Sequence, residues 1–544
     1  MTTEDQQTAT RLWLPAVYAG ALAVGFWSVS GVYADPVNRI PDTPFSAGCL
    51  FAGSLARAEV WLHGYVPDHT HLLAWPGGAA YFPVMWPLLA LALVVDPVVA
   101  LWLTMALTPV VNALGGAFLA RTLGFGRREQ ALAGALLAVN PWIRETLANG
   151  QLEQTWPGAI AALWAVAIRV RERPTVRRLA GLGLLAFLAG TSLPHLALGG
   201  AIGIGAWFLV EGARSGDWRK AVRWPVVLSL GALGLGVALA GAWHAAGYAS
   251  AVSVFAPKGS GGTPTGIDGL PEAASLTMLL LPPAPPASPS GVLHCVWLGW
   301  GVPVAATVGA LLPRNRAIVA GPVAACVTLL VLSLGASVGG VPLPWGLIAH
   351  FSSTIAQSGS AYRMVGAATI PLALLAALGP RTRVASIALI ALAWVETARF
   401  GTRPMPYLAL DIPRDPVVDA IDGKPGPILD LPLGSRVCPA GHYAEEATRR
   451  RRPVTLNTAG QPYASTPGLL HRFADVETSP RCIEDLRGFL STQGYTGVVL
   501  HDHGCRIPDA LRTCLAGALG DGQVVPMEGT SATGGPASIT WWTW

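Results

Sequence analysis

Two aspartates, Asp35 and Asp42, stand in the stretch GVYADPVNRIPDTPFSAG, residues 31–48, where Pro36, Pro41 and Pro44 work against a regular helix. A carboxylate at a membrane surface, partly removed from water, gains basicity and can take a proton from an acceptor hydroxyl. Asp42 is the first candidate for such a general base and Asp35 the second. Asp42 also has a purely structural use, since Asp42-Thr43-Pro44 is an ordinary N-cap for a helix over FSAGCLFAGSLARAEVWLHG.

A second polar group lies in NPWIRETLANGQLEQTWPG, residues 140–158, which holds Arg144, Glu145, Gln151, Glu153 and Gln154. It leaves one apolar run and enters the next, so it should face the same side as Asp42. Charged groups at a membrane boundary are costly unless hydrated or paired. The stretch is therefore either a polar pocket or a solvated loop with an internal Arg144–Glu145 pair. In the pocket, Glu145 and Glu153 are further catalytic carboxylates, and Arg144 and Gln151 contact the ligand.

Cations suited to an anionic ligand come later. Arg363, in GSAYRM, has forked donors that match a phosphate, and it could equally be a snorkelling interfacial anchor. His195 in TSLPH, His244 in AWHAAGY and Lys258 sit at expected outer helix ends or loops, where a lone histidine is most often structural. PDHTHLLAWPGG places Asp68, His69 and His71 together, a weak signal for a divalent cation against the alternative of a solvated turn. Trp75 in the same stretch could stack on a sugar ring or mark a membrane interface. No other cofactor is indicated.

The elements that must position these residues are membrane helices. Of 544 residues 52% are hydrophobic and 12% charged, which excludes a wholly soluble chain. The mean hydropathy is +0.47. The net charge of +5 comes largely from short arginine-rich clusters, which are topology signals and not a nucleic-acid footprint. RTLGFGRRE, RVRERPTVRR, RSGDWRKAVR, PRNR and PRTR should all face the cytoplasm. Spans fit near 12–33, 97–120, 130–142, 156–170, 179–194, 197–212, 224–247, 293–312, 317–336, 362–379 and 384–400. That gives about eleven transmembrane helices, with the N-terminus inside. The first apolar run lacks a signal peptide's basic flank and cleavage site, so it is expected to be retained. Residues 82–95 suit a juxtamembrane helix at the outer surface.

Long loops are expected outside, over 34–81, 253–291 and 337–361, with an amphipathic surface helix over 341–363. After residue 400 charged residues become frequent, and β-like runs appear at 427–433, 452–457, 496–502 and 537–544. The chain thus divides into a membrane domain, 1–400, and an extracytoplasmic α/β domain, 401–544. Its cysteines, Cys438, Cys482, Cys505 and Cys514, are either disulfide-bonded, with Cys505–Cys514 the easiest pairing, or free thiols.

Several features together resemble one family. They are an acidic outer loop after the first span, a span ending inside with ARTLGFGRR, LLAVNPWIRETLANGQLEQTWPGAIAALWA, YRM before a span, and LDLPL and TGVVLHD beyond the membrane. This arrangement is similar to the GT-C superfamily of membrane glycosyltransferases, which includes protein O-mannosyltransferases and aminoarabinose transferases. The resemblance implies a polyprenyl-phosphate sugar donor in the bilayer and a glycan, lipid or protein acceptor on the extracytoplasmic face of a cytoplasmic membrane. It also implies a base at Asp42 or Asp35, a second acidic position at Glu145 or Glu153, and Arg363 facing the phosphate. The chain departs from the family's acidic pair, because Thr43 follows Asp42, and it has no clear DxD. The alternative is a non-catalytic membrane protein that binds or moves a lipid-linked glycan, or an assembly subunit.

Overall fold

In hydrocarbon every backbone N–H and C=O must be paired within its own segment, so long apolar runs fold as helices. The computed structural model describes residues 12–37, 39–41, 85–148, 150–214, 223–255, 273–282, 296–316, 318–338, 341–351, 361–400, 405–411, 428–431, 485–492, 496–501, 509–530 and 536–544. The helices begin with α1 Trp13–Ser28, α2 Trp86–Ala92, α3 Pro97–Thr122, α4 Arg127–Ala138, α5 Pro141–Ala148 and α6 Pro157–Glu172. Next come α7 Val176–Ser192, α8 Pro194–Arg214, α9 Trp224–Phe255, α10 Leu276–Leu280, α11 Gly301–Leu311 and α12 Ala320–Ser333. α13 Pro344–Phe351, α14 Met364–Ala377 and α15 Arg383–Arg399 complete the helical part.

Among the described residues three helical stretches, Val98–Thr122, Pro194–Arg214 and Trp224–Trp243, are long and apolar enough to cross a membrane. Trp13–Ser28, Gly301–Leu311, Ala320–Ser333 and Ala361–Ala377 are shorter apolar helices. Leu184, Leu209, Leu235, Leu239 and Ile387 are exposed on the outside of the bundle, as lipid contact requires. The protein is a helical membrane protein.

Local chemistry sets the helix starts. The Asp96 carboxylate accepts from the N–H groups of Val98 and Val99, and Pro97 occupies the first turn, where its missing donor costs nothing. Thr175 and Thr382 cap α7 and α15 in the same way. The sequence expects a span from residue 293, but α11 begins only at Gly301. Glu396 of α15 causes this: its carboxylate takes the N–H groups of Trp300 and Gly301, both at 3.1 Å. Gly299 turns the chain into that cap with φ +79°, and a Cβ there would lie 2.5 Å from Glu396 Oε2.

The core centres on α14, every residue of which is buried. α4, α6, α8, α11 and α12 pack around it. Short strands tie the loops. β1 Arg39–Pro41 runs antiparallel to β4 Ala409–Asp411, with Arg39 opposite Asp411, so the first loop is joined to chain beyond residue 400. β2 Ser337–Val338 and β3 Val341–Pro342 form a hairpin. The expected surface helix over 341–363 starts later, after a strand, as α13, because Pro342 and Pro344 interrupt the backbone, and residues 352–360 of it lie outside the described residues.

The C-terminal part contains a four-stranded sheet ordered β5 Ile428–Leu431, β6 Gly497–His501, β8 Pro536–Thr543 and β7 Gln523–Thr530. β5 and β6 are parallel, and the other pairs are antiparallel. Alternation in β6 sends Val498 and Leu500 to one face, against Leu486 and Leu490 of α16 Leu486–Thr492 and Leu511 and Leu515 of α17 Asp509–Leu519. Val499 faces the other side with Ile539 and Trp541. Cys514 is disulfide-bonded, and its partner lies outside the described residues, as do Cys438, Cys482 and Cys505.

Candidate active site

The loop 140–158 gathers the polar side chains. Asn140 Oδ1 accepts from the Ile143 N–H at 3.0 Å and fixes the start of α5. Gly150 leaves that helix with φ +69°, and one 3-10 turn, Leu152–Gln154, delivers Glu153 and Gln154 before α6 begins. The turn is clamped to α3. Trp156 Nε1 donates to Thr108 Oγ1 at 2.7 Å. Asn112 donates to the Thr155 carbonyl and accepts from the Gly158 N–H, both at 2.8 Å. A Cβ on Gly158 would lie 2.3 Å from Asn112 Cα, so this approach requires glycine. α3 has 26 residues and is about 39 Å long. The loop expected at a membrane boundary thus lies beside the midpoint of this helix, because its polar groups find partners on α3 instead of in water.

The structure brings Gln151, Glu153, His195 and Arg363 together. Arg363 precedes α14 and His195 is the second residue of α8, so the buried α14 and the half-buried α8 begin side by side with their positive dipole ends at the site. Arg363 Nη1 is 3.0 Å from His195 Nδ1, and Arg363 Nε donates to Tyr362 Oη at 3.2 Å. Tyr362 is buried against Trp142, with ring centroids 6.3 Å apart. Trp142 Nε1 donates to the Gln154 carbonyl at 3.3 Å. Gln154 Nε2 in turn donates to Gln151 Oε1 at 3.3 Å and Glu153 Oε1 at 3.4 Å. Burial pushes the Glu153 carboxyl above its ordinary value of 4.5, while the nearby Arg363 charge pulls it back down.

Arg144 and Glu145 lie elsewhere. Both are buried, and Arg144 Nη1 donates to the Thr397 carbonyl of α15 at 2.5 Å. Tyr407 Oη donates to the Arg144 carbonyl at 3.1 Å, and the Tyr407 N–H donates to the Ser28 carbonyl at 2.8 Å. Burial raises the Tyr407 phenol, while the Arg144 charge lowers it and the Glu145 charge adds to the rise. The expected solvated Arg144–Glu145 loop is instead an interior brace holding the start of β4 against α1 and α5.

Asp35 ends a 3-10 turn, Ser30–Ala34, and its carbonyl accepts from the Arg39 N–H at 2.9 Å. Trp102 of α3 donates to the Pro36 carbonyl at 3.0 Å. The Asp35 turn thus docks about 9 Å nearer the start of α3 than Thr108. Asp42 directly follows β1 and lies outside the described residues, as do Asp68, His69, His71, Trp75 and Lys258. Tyr362, Trp142, Asn112 and Tyr407 were not expected at or around the site. Asn112 left a signal, being an amide within an apolar run, which must find a partner.

The membrane helices, the clamped loop and the Arg363 cluster can now be set beside solved structures. Neither a family model nor a curated protein matches the sequence. The arabinofuranosyltransferase AftD from mycobacteria aligns over 98% of this chain with TM-score 0.53 and 16% identity. The chain has the GT-C fold. A mutant of AftD aligns with TM-score 0.52 and 15% identity. This GT-C chain spans about 40% of the length of AftD. An oligosaccharyltransferase of Archaeoglobus fulgidus in the apo form aligns over 97% of the chain and 74% of its own, with TM-score 0.47 and 14% identity.

Proposed function

We propose that the protein is a membrane glycosyltransferase that moves a sugar from a polyprenyl-phosphate donor to an acceptor on the extracytoplasmic face. The observation that carries this reading is the meeting of Arg363 with His195 where α8 and α14 begin, beside the buried Glu153. A guanidinium at two helix N-termini suits a lipid phosphate. Asp42, next in the chain after β1, is the proposed base, with Asp35 as the second choice. In the transfer, the acceptor oxygen bonds to the anomeric carbon and the bond from that carbon to the phosphate oxygen breaks. The hydroxyl proton passes to the aspartate, and polyprenyl phosphate leaves against Arg363. The reading includes about eleven spans, a cytoplasmic N-terminus and an extracytoplasmic C-terminal α/β domain.

The test is consumption of a panel of polyprenyl-phosphate sugars by the purified protein, followed by mass spectrometry. Turnover by the parent and a loss on the order of 100-fold in Asp42→Asn support the base. Turnover unchanged by that substitution moves the base to Asp35 or Glu153. Saturable lipid binding with no turnover on any donor favours a non-catalytic glycan-lipid binder.

A further inference from the structure

A buried hydrogen-bond acceptor that has lost water and found no donor destabilises the fold, and few remain in native proteins. Two occur in succession here. Glu153 Oε2 and Gln154 Oε1 are buried and have no hydrogen-bond partner among the described residues. Glu153 is 8% exposed and Gln154 0%. The amide of Gln154 cannot be turned over to relieve this. Its Nε2 already donates to Gln151 Oε1 and Glu153 Oε1, and a flip would set three oxygens against one another. The pair therefore presents two acceptors that meet no donor among the described residues.

The surroundings say which donors. The 3-10 turn that carries Glu153 packs against α8, whose His195 meets Arg363, and the Arg363 charge reaches Glu153, so whatever meets these oxygens lies on the side of the proposed phosphate position. Arg363 and His195 keep partial exposure while Glu153 and Gln154 form the floor, so a ligand comes in past these two side chains. An ammonium group would be repelled by Arg363. A neutral group with two hydroxyls satisfies both oxygens without that repulsion. The Trp142–Tyr362 pair backs the floor and holds the Gln154 backbone in place.

We infer that Glu153 and Gln154 form the subsite for the donor's sugar, taking two hydroxyls of a neutral ring whose phosphate rests on Arg363. This rests on the lipid-phosphate reading above. The subsite pairs both acceptors when a hydroxylated sugar is present. A site built in this way rejects a ligand lacking the hydroxyls, because the acceptors then stay unpaired.

The test uses the full chain in phosphatidylcholine nanodiscs and two probes, farnesyl phosphate and farnesyl phosphoryl arabinofuranose, titrated by calorimetry. The parent should bind the glycosylated probe at least about tenfold more tightly than the bare phosphate. Glu153→Met and Gln154→Met should each bring that ratio close to one, and Gln154→Met, which removes no ionisable group beside Arg363, should change affinity for farnesyl phosphate by no more than about twofold. Removing an unpaired acceptor for an apolar side chain need not harm the fold, so thermal melting should show Glu153→Met as stable as the parent or more so. A parent ratio near one, or a parent ratio retained by both variants, overturns the sugar subsite and leaves the phosphate reading standing. Farnesyl phosphate that fails to bind, or binds Arg363→Ala as well as the parent, overturns the phosphate reading and the inference with it. A farnesyl phosphoryl aminoarabinose that outcompetes the neutral probe overturns the neutral class.

Discussion

Arg363 Nη1 stands 3.0 Å from Nδ1 and 3.4 Å from Nε2 of His195, so a cation from the start of α14 leans on the ring edge at the start of α8. A guanidinium has only donors, so an imidazole nitrogen facing it accepts. His195 thus aims Arg363. Arg363→Lys keeps the charge but loses the fork and its contact with Tyr362. Affinity for a polyprenyl phosphate should fall about tenfold or more in Arg363→Lys, measured by the same calorimetric titration. His195→Phe keeps ring volume without the acceptor. It should weaken binding less than Arg363→Lys does.

Glu153 couples the site to pH. Burial raises its pKa above 4.5 in the folded protein, so between 4.5 and the folded value the native state holds the proton that the unfolded state releases. Stability is then fully present below 4.5 and falls as pH rises through that window. In thermal melts of the detergent-solubilised protein, Glu153→Gln should lose this dependence. Its advantage over the parent should grow from pH 4.5 upward. Melting differences that stay constant with pH would show that Glu153 is ionised equally in both states.

Asn112 holds the site at its depth. It is completely buried, and it both donates to and accepts from the chain that starts α6. Asn112→Leu strands the Thr155 carbonyl and the Gly158 N–H, two buried groups that then lack partners. The loss should be about 2–4 kcal/mol, read from chemical denaturation. Gly158→Ala attacks the same junction by overlap with Asn112 Cα at 2.3 Å and should lower the yield of folded protein.

The fold was legible where a single physical signal dominates. Apolar runs longer than a bilayer is thick, and arginines between them, mark helices such as α3, α8 and α9 without any tertiary knowledge. The β-like runs at 427–433, 496–502 and 537–544 became β5, β6 and β8 because period-two alternation decides a half-buried strand. The site was legible as residue types and not as an arrangement. Glu153, His195 and Arg363 could be chosen because charges and imidazoles are rare in such a chain, but no spacing says that three distant segments converge. Arg144 and Glu145 share a loop with Glu153 and yet serve α15 and Tyr407. A short helix followed by a tight turn separates their directions, which sequence distance cannot convey. The β1–β4 ladder was invisible for a related reason: three residues on each strand carry no periodicity.

Glu396 offers a last check on how polar groups shape the apolar bundle. It is 3% exposed, and it spends its carboxylate on the first N–H groups of α11, where an anion also meets the positive end of the helix dipole. Glu396→Gln keeps an acceptor oxygen and loses the charge, so it should cost about 1 kcal/mol. Glu396→Ala leaves the buried N–H of Gly301 and the half-exposed N–H of Trp300 without the carboxylate and should cost about 2–3 kcal/mol. Trp297 and Trp300 stack edge-on with Phe400 at the same junction, at 5.4 and 5.8 Å between centroids, so tryptophan fluorescence reports the uncapping directly. The expected result is a red shift in Glu396→Ala, a smaller one in Glu396→Gln, and the same order in denaturant midpoints. If the two variants melt alike, the charge of Glu396 contributes nothing and the start of α11 is fixed by Gly299 alone.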